Sequence, residues 1–310
     1  MNKSISIIGA GESGIGAAIL AKKNSYDVFV SDNNIIKTNY RKVLIENRID
    51  FEEGGHSFEK ILNSNLIIKS PGIPNESELI KKINKLDLNL ISEIDFAYRF
   101  TKAKIIAITG TNGKSTTAKV LNLILKNHKK DSRLCGNIGN PILLEKKISK
   151  KTIFVIEASS YQIDYSSLFK ANYALILNIS PDHLERHGNL NKYISAKFKL
   201  IENQKKGSVG FVNKNDQLIQ KKIKKISSKN KLKNIDTKIN KSFKKKIENN
   251  FFLSKTNQAN LSFVLEIIKN FSIKKNILLQ TINKFSGLDY RQQIIFQNKR
   301  FTIINDSKST

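Results

Sequence analysis

The sequence predicts an α/β protein with two parallel sheets, each opened by its own phosphate-binding turn. Short apolar runs alternate with helical stretches through the first two thirds of the chain. Two of those runs lead straight into glycine-rich turns, at 9–14 and at 110–114. A helical pattern leaves each turn, which is the strand–turn–helix order of a mononucleotide-binding unit. Each turn opens a separate sheet, so a domain boundary is expected near residue 93.

In chain order, Ser4–Ile8, 28–30, Leu66–Lys69, 105–109, Ile153–Glu157 and 173–178 read as buried strands. Each ends in a polar or glycine-containing loop, and parallel sheets gather their sites at those carboxyl ends. A helix is expected over 118–126. The stretch 221–247 is rich in Lys, Asn and Ser with weak periodicity, and reads as a solvated helix face or loop. Residues 301–304 are strand-like.

Composition narrows the function. The 310 residues suffice for two domains. The net charge is 54 − 26 = +28. That excess is nearly all Lys, spread along the chain, while Arg is scarce. Nucleic-acid readers favour Arg and aromatic stacking positions, so charge alone does not predict a nucleic-acid partner. Cys135 is the only cysteine, which excludes an intrachain disulfide and fits a reducing compartment. No apolar run approaches the roughly 18 residues that span a bilayer. A cytoplasmic protein without membrane contact is expected.

The first turn, Gly9-Ala-Gly11-Glu-Ser13-Gly14, matches G-x-G-x-x-G after a strand. Its glycines permit a tight turn and close approach to a diphosphate. Asp32 ends the next strand at a distance that suits contact with a ribose or base. Alone, this pattern describes a nicotinamide enzyme equally well. Ser70-Pro71-Gly72-Ile-Pro74 follows another strand of the same sheet. It reads either as an ordinary Pro-Gly turn or as a second wall for a nucleotide-sugar diphosphate.

The second turn is sharper. Thr109-Gly110-Thr111-Asn112-Gly113-Lys114-Ser115-Thr116 is a shortened G-x-x-G-K-[ST] loop, since Ile108 stands where the longer motif needs glycine. Backbone N–H groups at the helix start would cradle phosphates. Lys114 would neutralise β/γ-phosphate charge and Ser115 would reach Mg²⁺. Glu157 ends the strand Ile153–Glu157, where a carboxylate beside a phosphate loop is a natural Mg²⁺ ligand or simply a surface side chain. Asp182-His183-Leu-Glu185-Arg186-His187 puts two His and two carboxylates in one loop. Lys197 has nothing in its spacing to distinguish it from the many other lysines.

Taken in order, these motifs, with Gly136-Asn137-Ile-Gly139, Asn257, Asn260, Arg291 and 306–310, resemble the Mur ligase family. The resemblance covers essentially the whole chain. It implies a Rossmann-like N-terminal domain over 1–93, holding UDP, and a P-loop-type mononucleotide-binding central ligase domain over 94–286. It also implies a third α/β domain, absent here after its first strand, with only its start at 287–310. Glu157-Ala-Ser-Ser-Tyr-Gln and Asp182-His-Leu-Glu-Arg-His-Gly resemble the family member that adds D-glutamate to UDP-N-acetylmuramoyl-L-alanine.

The roles implied by the resemblance are these. Gly11, Ser13, Gly14, Asp32, Ser70, Pro71, Gly72, Asn137 and Gly139 would hold the UDP-substrate. Gly110, Thr111, Asn112, Gly113, Lys114, Ser115, Thr116, Asn257, Asn260, Arg291 and Asp306 would hold ATP. Ser115, Glu157, His183 and Lys197, the last as a carbamate, would bind two Mg²⁺ ions. Lys114, Glu157, His183 and Lys197 would carry the chemistry. Tyr290 stands where the family usually has His. The expected product is an amide formed through an acyl phosphate, in peptidoglycan precursor synthesis, by a monomer. A non-catalytic UDP-sugar and ATP-binding protein, another family member, and a nicotinamide oxidoreductase are the alternatives. Activity of the 310 residues alone is left open.

Overall fold

The computed structural model describes residues 3–226, 230–291, 293–298 and 300–307. Ser4–Ile8 (β1), Asp27–Asp32 (β2), Asp50–Glu53 (β3), Leu66–Lys69 (β4) and Leu90–Ser92 (β5) form a parallel sheet. Its order is β3-β2-β1-β4-β5. β4 is buried throughout and β1 nearly so, as a parallel sheet covered on both faces requires. The order reverses between β1 and β4, and ligands enter such sheets at that crevice. The 9–14 turn leaves β1 and the 70–74 turn leaves β4, so both turns stand there.

Lys104–Thr109 (β6), Ser132–Gly136 (β7), Ile153–Glu157 (β8), Tyr173–Ile176 (β9), Val209–Asn213 (β10) and Lys231–Ile235 (β11) form the second parallel sheet. The order β11-β10-β9-β6-β8-β7 puts β6 between β8 and β9. Three loops far apart in sequence therefore meet at one edge: 110–113 after β6, the turn after Glu157, and 177–183 after β9. Both sheets belong to the α/β class the alternation predicts.

Glycine placement follows from contact. The helix Glu12–Lys23 lies so close to the first turn that a Cβ on Gly14 would sit 1.8 Å from the Gly9 carbonyl oxygen. A Cβ on Gly113, at φ +83°, would sit 2.1 Å from Asn260 Oδ1. Gly113 caps the helix Lys114–Asn127, so that helix begins earlier than the expected 118.

The sheets are pinned together by buried polar contacts. The helix Glu93–Arg99, capped by Ser92, joins β5 to β6. Its Asp95 is fully buried and accepts from Ser166 Oγ at 2.6 Å, Ser167 N at 3.0 Å, Leu168 N at 3.1 Å and Phe169 N at 2.8 Å. Hydrogen bonds to a charged group contribute about 1.5–3 kcal/mol each. Exposed ion pairs such as Lys42–Glu46 contribute about 0–1 kcal/mol. The four bonds to Asp95 therefore tie the helix after β5 to the 166–169 segment that leads into β9. Leu143, from the second sheet's side, packs on Gly16 of the helix Glu12–Lys23.

The structure corrects several boundaries. The strand expected at 28–30 is longer, Asp27–Asp32, and that expected at 173–178 stops at Ile176. β3, β5, β7, β10 and β11 are additional. The stretch 221–247, read as a helix face or loop, contains the edge strand β11 and a short helix at Lys241–Lys244, with 227–229 outside the described residues. Gln293–Gln297 (β12) and Thr302–Asn305 (β13) pair as an antiparallel hairpin. Only the second of these strands is visible in the sequence, as 301–304.

Candidate functional site

A cleft of about 470 Å³ lies between the two sheets' carboxyl edges. The first sheet contributes Glu12, Ser13, Pro71 and Gly72. The second contributes 111–116, Asn137, Glu157, Ser159, Ser160, Tyr161, Gln162, Asp182, His183, Tyr193 and Lys197, and Arg291 closes one side. Most of the sequence-predicted residues thus share one cavity.

The first turn is organised by acceptors and open space. Asp32 accepts from Ala10 N at 2.7 Å and from Asn34 N at 2.9 Å, which ties β2 to the turn. Ser70 Oγ donates to the Gly9 carbonyl at 3.0 Å and joins the two turns. Nothing lies within 4 Å of where a side chain would begin on Gly11 or Gly72. Gly11 caps the helix Glu12–Lys23, so the helix N-terminus is uncovered toward an approaching anion.

The second turn is cross-braced. Asn112 N donates to Asn178 Oδ1 at 2.8 Å, and Asn178 Nδ2 donates to the Asn112 carbonyl at 3.0 Å. Thr111 Oγ1 donates to the Ser180 carbonyl at 3.1 Å and lies 3.1 Å from the Tyr193 hydroxyl. Lys114 Nζ donates to the carbonyls of Gly110 at 3.0 Å and Thr111 at 2.8 Å. Burial holds the Lys114 amine below its ordinary pKa, opposed by the nearby Glu157 carboxylate and reinforced by Arg291.

Lys197 is 1% exposed, donates to the Gly110 carbonyl at 2.9 Å and lies 4.4 Å from the Tyr193 ring centre. Burial, with Lys114 adding repulsion, pushes its amine down to about 7. Burial thus favours the neutral, nucleophilic form of that amine relative to a solvated lysine. This is the property that attack on CO₂ requires, and no spacing rule could have shown it.

Glu157 is 1% exposed. Its Oε1 accepts from Asn137 Nδ2 at 3.4 Å, while its Oε2 is buried without a hydrogen-bond partner among the described residues. A buried carboxylate oxygen left unpaired is costly, and a hard cation would satisfy it. His183 sits in the left-handed region at φ 52°, between Asp182 and Glu185, with Nε2 3.4 Å from Asp182 Oδ2. Among the described residues no group of three or more His, Cys, Asp and Glu side chains gathers closely enough to hold a metal. A cation between Glu157 and His183 therefore fits only with further oxygens, such as phosphate, the Ser115 hydroxyl or a carbamate on Lys197.

Other predicted residues fall elsewhere. Gly139 lines a separate groove on the β7 edge, although Asn137 faces the cleft. Asn260 borders a second cavity of about 980 Å³ with Asn112, Asn178, Asp236 and Thr237, next to the phosphate turn. Asn257 is buried and donates through Nδ2 to the Phe251 carbonyl at 2.9 Å. Asp306 is exposed just past β13 and lines neither cavity. Lys308, in the 306–310 motif, lies outside the described residues.

Sequence reasoning missed Asn178, Tyr161, Tyr193 and Arg186 as functional candidates. Tyr161 stacks near His183 at 5.1 Å and His187 at 5.6 Å. His187 is buried against Ser160 Oγ at 3.0 Å, and burial holds it below the ordinary imidazole pKa. The only available signal was proximity to the two motif loops.

Comparison with known proteins agrees with this geometry. The profile described as Mur ligase middle domain matches residues 108–281, and that described as MurD N-terminal domain matches residues 4–79. A Bacteroides thetaiotaomicron protein named UDP-N-acetylmuramoylalanine–D-glutamate ligase is 43% identical over 224 residues, covering 72% of this chain and 50% of that protein. A Christiangramia forsetii protein of the same name is 34% identical over 329 residues, covering 100% of this chain and 74% of its own length. The chain spans about half the length of the Bacteroides relatives it matches. Among solved structures, the Neisseria UDP-N-acetylmuramate:L-alanyl-gamma-D-glutamyl-meso-diaminopimelate ligase superposes with a TM-score of 0.65 at 16% identity, over 93% of this chain and 99% of that one. Thermotoga maritima UDP-N-acetylmuramate-alanine ligase superposes at 0.58 and 20% identity, over 98% and 74%. These two likenesses establish the fold. The sequence matches establish descent: the chain belongs to the Mur ligase family.

Proposed function

We propose that this chain carries the two nucleotide-binding domains of an ATP-dependent ligase that adds D-glutamate to UDP-N-acetylmuramoyl-L-alanine, in the cytoplasm, for peptidoglycan precursors. The observation that carries this reading is the shared cleft. A substrate whose diphosphate rests on Ser13 and Gly72 can extend its far end toward Lys114 in the same 470 Å³ space. Two independent binding modules would not need that continuity, and neither would a nicotinamide enzyme. The proposed division is 1–93 for the UDP-substrate and 94–286 for ATP.

The reaction has two steps. The L-alanine carboxylate attacks the γ-phosphorus of ATP, releasing ADP and leaving an acyl phosphate. The D-glutamate amine then adds to the acyl carbon, and phosphate leaves with the new amide bond formed. Lys114 and the N–H groups of 113–116 draw charge from the transferred phosphoryl group. Glu157, His183, Ser115 and a carbamylated Lys197 would hold Mg²⁺, which supplies charge neutralisation between carboxylate and triphosphate. The neutral fraction of the Lys197 amine supports the carbamate. Asn178 and Tyr193 hold the phosphate turn rigid, so little reorganisation is needed on binding.

The test is calorimetric titration of the chain with UDP-N-acetylmuramoyl-L-alanine and with Mg²⁺ plus a non-hydrolysable ATP analogue, alongside an ADP-release assay with D-glutamate. Binding of both ligands is expected. Amide formation with L-alanine or a diamino acid in place of D-glutamate would reassign the chain within the family. Binding of NAD in place of the UDP-substrate would overturn the reading.

A further inference from the structure

Arg186 makes contacts that the phosphate and metal roles leave unexplained. It lies on the second sheet's side, in the short helix Leu184–His187 that follows His183. Its guanidinium crosses to the first sheet's 70–74 turn. Nη2 donates to the Ile73 carbonyl at 2.6 Å and the Pro71 carbonyl at 3.1 Å, and Nη1 reaches the Gly72 carbonyl at 3.5 Å. Its other face lies 5.2 Å from the centre of the Tyr161 ring. One planar fork thus collects three consecutive carbonyls, which suits arginine far better than lysine.

This grip fixes the direction of a peptide. The described peptide bonds are all trans, so the N–H of Gly72 points opposite to the Pro71 carbonyl. With that carbonyl turned toward Arg186, the Gly72 N–H is turned away from the guanidinium. No acceptor for it occurs among the described residues. Ser70 Oγ, on the same turn, is already tied to Gly9. The turn is therefore held with a free donor beside the open space at Gly11 and Gly72, and with a cation behind its carbonyls.

The same residue is bound to the other site. Arg186 N donates to the His183 carbonyl at 3.1 Å, and the His183 ring packs at a tilt against Tyr161, centres 5.1 Å apart. Moving the 70–74 turn must pull on the loop that carries His183. We propose that Arg186 is a positioning residue that couples the two nucleotide sites, so that filling the diphosphate turn orders the His183 loop, and the reverse. The inference rests on the UDP-substrate reading of the first turn. It does not concern holding the domains together, because Asp95 and the Leu143–Gly16 contact do that independently.

The experiment measures binding of UDP-N-acetylmuramoyl-L-alanine to the 310-residue chain, with and without saturating Mg²⁺ and non-hydrolysable ATP analogue. The parent is compared with Arg186→Gln and Arg186→Lys, and thermal midpoints report folding. In the parent each ligand should tighten the other by the same factor, roughly fivefold or more, since linkage is reciprocal. In both variants the UDP-substrate alone should bind at least roughly fivefold more weakly, the ATP analogue alone should be unchanged, and the mutual tightening should vanish. Should Arg186→Gln not fold, Arg186→Lys decides, because it keeps the charge and loses the fork. Unchanged coupling in a folded variant overturns the inference. So does equal weakening of both ligands with a lowered midpoint, which marks a merely structural role. Failure of the parent to bind the UDP-substrate would instead overturn the reading of the cleft, and the inference with it.

Discussion

The two phosphate turns use the same backbone device with opposite electrostatics. The turn at 9–14 has a bare helix N-terminus at Gly11 and a neighbouring carboxylate, Asp32, already engaged by Ala10 N. The turn at 110–114 is crowded by Lys114, Lys197, Glu157 and Arg291. A diphosphate that is only held needs N–H donors and a helix dipole, which contribute about 0.3–1 kcal/mol per favourable charge. A phosphoryl group that is transferred needs charge neutralised where it develops, and desolvated cations do that far more strongly. On the function proposed here, the difference between the turns is the difference between binding and reacting.

The sharpest break of this comparison is Lys114→Ala. Turnover in the proposed ligase reaction should fall by on the order of 10³-fold. Calorimetry should show loss of ATP-analogue binding with UDP-substrate binding retained, since the turns lie on separate sheets. Equal loss of both ligands would mean that the sites are not separable.

Lys197→Met keeps the buried volume but removes the amine. Turnover should drop by on the order of 10²-fold, with UDP-substrate affinity preserved. The parent should gain activity with added bicarbonate near pH 7, while the variant should not respond. An equal response in both would exclude a carbamate on this residue.

Gly14→Ala tests the first turn alone. The new methyl would start 1.8 Å from the Gly9 carbonyl oxygen, so helix or turn must move. Overpacking of this kind costs roughly 1–3 kcal/mol. The melting midpoint should fall and UDP-substrate binding should weaken, with ATP-analogue binding intact. Gly11→Ala, which meets nothing within 4 Å in the protein, should fold normally and report only ligand approach.

The sequence was most legible where chemistry is local. Gly9, Gly14, Gly113 and Lys114 serve a turn made of adjacent residues, so pattern alone located them. Arg186, Tyr193, Asn178 and Asp95 act across long separations, and no periodicity marks such partners. Lys197 illustrates the limit: 47 lysines look alike in a string, and only burial against the Gly110 carbonyl distinguishes this one. Two edge strands escaped detection for a related reason. β3 is Asp-Phe-Glu-Glu and β11 is Lys-Leu-Lys-Asn-Ile, both sheet edges with solvent on one side, so neither shows the apolar run that betrayed β4 and β8.

The smallest predicted effect lies between the two turns and concerns pH. Glu93 is buried, donates nothing as a carboxylate, and among the described residues accepts from one side-chain donor, Gln162 Nε2 at 3.2 Å, with its Oε2 unpaired there. Burial pushes its pKa up to about 7 from 4.5, against the pull of Gln162 and of Lys69. Lys69 is itself pushed down to about 8, chiefly by burial, so it offsets only part of the cost of ionising Glu93. A carboxyl raised on folding binds its proton more tightly in the native state. Its contribution to stability is therefore fully present below about pH 4.5 and is lost as pH rises through about 7. Glu93→Gln mimics the protonated form and keeps an acceptor for Gln162. It should match the parent in thermal stability near pH 4.5 and exceed it by roughly 1–2 kcal/mol at pH 8. A variant less stable than the parent at pH 8 would show that the folded protein favours the ionised Glu93 carboxylate, and that its contact with Gln162 across the sheets is a charged hydrogen bond and not a neutral one.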